Sequence, residues 1–139
     1  MSNILYLNPT NDQLVVLILF KNKKVFKIVK RYQRPLGKTF LKLINELLKK
    51  AKIKPTALKA IAVVCGPGSF SSLRVGLVVA NTLAWALKIP IISLKTDELV
   101  LVNERQLLKI IKKKLENKRF KPVAPFYDKE PNITYPKSR

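Results

Sequence analysis

Histidine is missing from all 139 residues, and its absence removes several chemistries at once. Imidazole acid–base catalysis, the HExxH zinc site and the Ser-His-Asp triad all require it. Acidic residues are sparse as well: Asp12, Glu46, Asp97, Glu98, Glu104, Glu116, Asp128 and Glu130 are the full set. None of them stands at the end of an apolar strand, where a paired acid and base or a metal ligand would be expected. Such dispersed carboxylates read as surface charge, and neither a metal nor an organic cofactor is expected. One cysteine, Cys65, cannot form an internal disulfide. A lone thiol at the end of an apolar strand reads as a buried, inert side chain in a reducing compartment.

Long uninterrupted apolar runs are also lacking. The longest span, Val75 to Leu94, is broken by Asn81, Thr82, Lys88 and Pro90, which argues against a membrane helix. The N-terminal MSNILYLNPTNDQ has no basic region before its short apolar stretch, so it does not read as a signal peptide. A cytoplasmic protein without membrane association is expected. Against these absences stands a surplus of cations. With 28 Lys and Arg against 8 Asp and Glu, the formal charge is +20. This balance suits a polyanion such as RNA through phosphate contacts that ignore base sequence. Lysines coating solvated faces would give the same count.

The residues most rich in information run from Val63 to Leu94, VVCGPGSFSSLRVGLVVANTLAWALKIPIISL. A strand, Lys59 to Cys65, stops at Gly66-Pro67-Gly68; a helix follows, capped by Ser69 or by one of Ser71 and Ser72; Pro90 to Leu94 is the next strand. From Val75 to Leu87 no side chain is charged, so this helix must be covered on more than one side. Gly76, Ala80 and Ala84 form a flat seam that suits a close partner helix, while Val75, Val79, Leu83 and Leu87 form a bulkier stripe that suits a sheet.

Ahead of this block, alternating apolar residues predict three antiparallel strands, Asn3–Leu7, Leu14–Phe20 and Lys24–Tyr32. An amphipathic helix over Lys38–Lys52 follows, with Phe40, Ile44, Leu47, Leu48 and Ala51 on one side. After the last strand, Thr96 should cap a helix with Asp97 and Glu98 in its first turn and an apolar face of Leu101, Leu108, Ile111 and Leu115, ending near Lys118. Residues 120–139 contain four prolines and no periodicity; they read as an extended basic tail, packed back on a lobe formed by residues 1–119 or disordered.

The stretch Gly66-Pro67-Gly68-Ser69-Phe70-Ser71-Ser72-Leu73-Arg74-Val75-Gly76 resembles the GPGSFTGLRIG signature of the TsaB family, with Ser71-Ser72 in place of Thr-Gly. The resemblance runs more loosely from Asn3 to Leu94, and Pro125–Pro131 faintly resembles the segment by which that family returns to its first lobe. It implies an α/β fold, one RNase H-like lobe of the actin and hexokinase superfamily: a mixed five-stranded sheet, three antiparallel strands and then two parallel crossovers, flanked by helices. The chain is shorter than two-lobed members, leaving room for a helix where they insert a second lobe.

The same resemblance implies a role as the non-catalytic partner of TsaD in forming threonylcarbamoyladenosine beside the anticodon of tRNA. A TsaE-type ATPase would belong to the larger complex, and tRNA would be met indirectly or weakly. The interface expected from it comprises Leu73, Gly76, Leu77, Ala80 and Ala84, joined by Phe40 and Ile44. That side should face solvent when the partner is absent, or close on a second copy as a twofold dimer. Actin-like ATPases place an aspartate at the end of the first strand, whereas Asn8-Pro9-Thr10 stands here. Asn8 brings no charge to a magnesium ion, and Pro9 has no amide to offer phosphate. Gly66, Gly68 and Ser69 remain an anion-nest candidate at a helix N-terminus, without the Lys-Ser/Thr ending of a P-loop. Two other function classes stay open: a small basic RNA-binding protein, and a nucleotide-binding enzyme using the Gly-Pro-Gly-Ser turn.

Overall fold

The structure, a computed structural model, describes residues 3–32, 35–116 and 120–124. Its strands are β1 Ile4–Asn8, β2 Leu14–Lys21, β3 Lys24–Arg31, β4 Ala60–Gly66 and β5 Ile91–Lys95; its α-helices are α1 Leu36–Lys50, α2 Phe70–Leu87 and α3 Glu104–Leu115. They form one sheet in the order β3-β2-β1-β4-β5. The first three strands are antiparallel, with Leu5 opposite Leu19 and Leu17 opposite Ile28. β4 joins β1 in parallel with Leu7 opposite Val63, and β5 joins β4 in parallel. The tight turn between β2 and β3 puts Asn22 at φ 55°, the left-handed region that asparagine tolerates and a two-residue hairpin needs.

Alternation along the strands divides the core into two layers. Leu5, Leu7, Leu17, Leu19, Ile61 and Val63 point to the side covered by α1 and α2. Ile4, Tyr6, Ile18, Phe20, Ala62 and Val64 point to the side covered by α3. All seven residues of β4 are buried, which explains its unbroken apolar sequence: it is central and covered on both faces.

Two boundaries differ from expectation for identifiable reasons. Thr96 does not cap a long helix. Its hydroxyl donates to the carbonyl of Pro67 at 2.7 Å, tying the end of β5 to the turn after β4. Thr96–Leu99 is a single 3-10 turn, and α3 starts only at Glu104 under a cap from Asn103, whose side chain accepts from the Gln106 amide while Gln106 reaches back to the Asn103 amide. The buried residues of α3 are Leu107 and Ile111, whereas Leu101 precedes the helix and is 97% exposed. The reciprocal bonds at Asn103 thus shift the helical phase. α1 begins two residues earlier than its apolar spacing suggests, because Pro35 in an extended conformation serves as its N-cap.

After α3 the chain reaches the opposite side of the sheet. Phe120 and Val123 pack against the α1/α2 layer. Asn81 of α2 holds this segment from both directions, donating to the Val123 carbonyl at 2.9 Å and accepting from its amide at 2.8 Å. The predicted end of the last helix near Lys118 and the stretch Pro125–Pro131 lie outside the described residues.

Candidate functional site

In open α/β sheets, ligands bind beyond the carboxyl ends of the parallel strands. Here that edge gathers Asn8-Pro9-Thr10 after β1, Gly66 to Ser69 after β4, and Lys95-Thr96 after β5. Gly66 has φ 122°, a conformation that only glycine adopts without strain, and it turns the chain sharply toward α2. The expected anion nest is engaged by the chain itself. The Ser69 amide donates to the Thr10 carbonyl at 2.7 Å. Gly68 lies so close to the first turn that an added Cβ would stand 2.6 Å from the Thr10 carbonyl oxygen and 2.7 Å from its Cα. Thr10 in turn is fixed by Asn8, whose side-chain oxygen accepts from the Thr10 amide at 3.1 Å and from its hydroxyl at 2.6 Å.

Ser72 completes the interlock. Buried at the start of α2, its hydroxyl lies 2.9 Å from the Pro9 carbonyl and 3.1 Å from that of Asn11. The residue that replaces glycine in the TsaB-type signature is therefore what fastens α2 to the β1–β2 turn. Ser69 provides no side-chain cap to the helix, although it holds the N-cap position. Next to this knot the Tyr32 hydroxyl is buried, close to the Ser72 hydroxyl but without a well-formed hydrogen bond among the described residues. Burial lifts its pKa to about 12, partly offset by the neighbouring Ser72 hydroxyl. Cys65 is buried one residue before the turn; burial pushes its thiol pKa up, against smaller opposing effects from a backbone hydrogen bond and Lys95.

The small-residue seam of α2 is turned inward. Leu73, Gly76, Leu77, Ala80 and Ala84 are all buried within the chain, and so are Phe40 and Ile44 of α1. A Cβ on Gly76 would run into the Pro9 ring and stand 3.2 Å from the tip of Phe40. The seam thus suits close packing, as expected, but the close neighbours are α1 and the turn after β1. The expectation that these residues face solvent when the chain is alone is overturned by that contact. Val75, Val79, Leu83 and Leu87, expected against the sheet, are only partly buried.

On the outside of α1 and α2, a few large apolar side chains stand among charged and polar ones such as Lys38, Lys42 and Arg74. Leu41 is 57% exposed, Val78 64% and Trp85 68%. Gly37 of α1 faces Val75 of α2, so Leu41, one turn further along, lies on the α2-facing flank of its helix. By length and composition α2 also passes as a membrane span, but a third of it is buried inside the domain as part of the core. Sequence reading did not single out Leu41, Val78 or Trp85. The available signal was their phase: each stands one position away from the inward side of its helix.

This architecture defines a class, an RNase H-like lobe of the actin and hexokinase type whose strand-end edge is closed by its own turns. A family model described as TsaD, tRNA N6-adenosine threonylcarbamoyltransferase, matches residues 30–114. The chain belongs to the family this model describes, as a TsaB-type member. It is similar to the tRNA threonylcarbamoyladenosine biosynthesis protein TsaB of Bacillus subtilis, 28% identical over 102 residues, 73% of this chain and 44% of the relative. The TsaB protein of Buchnera aphidicola subsp. Baizongia pistaciae is 37% identical over 82 residues, 58% of this chain and 37% of the relative. Among solved structures, YeaZ from Pseudomonas aeruginosa superposes with a TM-score of 0.64 at 26% identity, covering 68% of this chain and 44% of that one. The chain thus spans less than half the length of these relatives.

Proposed function

We propose that this chain is a non-catalytic partner subunit in tRNA threonylcarbamoyladenosine formation and pairs with a TsaD-type paralogue through the outward side of α1 and α2. The exposed apolar side chains Leu41 of α1 and Val78 and Trp85 of α2 carry the reading. Exposed apolar patches on otherwise charged surfaces mark interaction sites. The buried seam of Leu73, Gly76, Leu77, Ala80 and Ala84, with Phe40 and Ile44, is then the support that fixes both helices in register rather than the contact itself. The turn at Gly66–Ser69 is structural in this reading. Its close approach to Thr10 supports a scaffold over a nucleotide-using enzyme. A TsaE-type ATPase would join the larger complex through TsaD, in the cytoplasm, and a second copy of the chain would cover the same side when TsaD is absent.

The test is co-purification of the TsaD-type protein of the same cell with wild type and with Val78→Arg. Val78 is exposed, so the variant should fold with an unchanged circular dichroism spectrum. A cation desolvated in the interface costs roughly 3 to 5 kcal/mol, more than a hundredfold in affinity. Loss of pairing supports the reading, and unchanged pairing by a folded Val78→Arg removes it.

A further inference from the structure

Between edge strand β3 and α1 lies a cleft of about 510 Å³ lined by four cationic residues, Lys30, Arg31, Lys38 and Lys42, and one carboxylate, Glu46. All five side chains are exposed, while Thr39 and Leu43 form a buried floor. The ion pairs among the described residues are Lys27–Glu104 and Lys114–Glu98, so none neutralises these four. We propose that this cleft is a contact site for the phosphate backbone of RNA.

Three features point to a nucleic-acid strand. Lys38 and Lys42 are i and i+4 on α1, one above the other and about 6 Å apart along the helix axis, a step comparable to that between neighbouring phosphates on one strand. Lys30 lies on the same side of β3 as Phe26 and Ile28, which pack toward the α1 layer, so strand and helix place charge on both walls. Among the described residues the lining holds no aromatic side chain, which suits contact with backbone rather than stacked bases. The cleft borders the apolar side of α1, since Lys38 and Leu41 are i, i+3 neighbours on its surface. The choice of RNA among polyanions rests on the tRNA-modification reading given above.

The experiment measures anisotropy of fluorescein-labelled tRNA with the full chain over a salt series, for wild type, Lys38→Glu/Lys42→Glu and Lys109→Glu/Lys113→Glu. The second pair is the matched control: two exposed lysines, also four apart, on α3 across the sheet. Both variants lower the net charge equally. The cleft variant should lose about tenfold in affinity at low salt, with the slope of log affinity against log salt smaller by about 2, while the control retains most of both. Equal losses in the two variants would mean that net charge alone binds RNA and would overturn the site. So would competition by polyglutamate as strong as that by RNA of equal charge, or no RNA binding by wild type. Co-purification of TsaD, measured in parallel, separates the two proposals. A cleft variant that keeps TsaD and loses tRNA supports both, and failure of the RNA arm alone leaves the pairing intact.

Discussion

Gly68 and Ser72 show how narrowly single atoms decide the architecture of the strand ends. Any side chain at Gly68 would run into the Thr10 backbone, so Gly68→Val must push the two turns apart. Denaturant unfolding should show a loss of about 1–3 kcal/mol. Ser72→Ala leaves the buried carbonyl of Pro9 without a donor from this side chain and should lower stability by a similar amount, about 1–3 kcal/mol, with little change in helix content. Glu98 supplies a pH dependence. Burial pushes its carboxyl pKa up, but bonds from Lys114 at 2.9 Å and from the Lys95 amide at 2.8 Å outweigh that and hold it below its ordinary value of 4.5. A depressed folded-state pKa contributes stability that is complete above the unfolded value and is lost as pH falls through the folded one. Unfolding midpoints should therefore drop below about pH 4.5, and Glu98→Gln should flatten part of that drop.

The elements themselves were largely legible, and α2 marks where legibility stopped. Periodicity places all five strands within a residue of their observed ends; β4, for example, was expected over Lys59–Cys65 and occupies Ala60–Gly66. A helix without a polar face gives no such guidance about rotation. Which stripe of α2 faces inward is decided by Pro9 and Phe40, distant in sequence, against Gly76. Nor can Thr96 be read from local pattern, since it is a good cap by type and its hydroxyl is taken by a carbonyl 29 residues away. The basic cleft was invisible for a related reason: Lys30-Arg31 and Lys38/Lys42 each look like solvated charge until strand and helix stand side by side. The inward seam makes a definite forecast. Ala80, 1% exposed, has no room for a cation, so Ala80→Arg should unfold the chain, with loss of the circular dichroism transition, instead of merely dissociating a partner.

At the scale of the molecule, a charge of +20 on 139 residues works against compaction. Self-repulsion is screened within about 8–10 Å at physiological salt, so melting temperature should climb with ionic strength, most steeply at the low end. A flat salt response would mean that the cations are too widely spread to repel. The same lysines protect the sheet: β3 is an edge strand, and Lys24, Lys27, Lys30 and Arg31 along it discourage pairing with a second sheet. Finally, Trp85 is the one tryptophan in the sequence and stands two-thirds exposed on the outward side of α2. Its indole is thus a native optical gauge: emission should start at the red, hydrated end and move to the blue when that side is covered. Cys65, the one thiol, is shut in the core on the other side of the same helix layer, and a thiol reagent will reach it only when the sheet opens. Docking and unfolding can therefore be followed separately in the unmodified protein, one by colour and the other by chemical labelling.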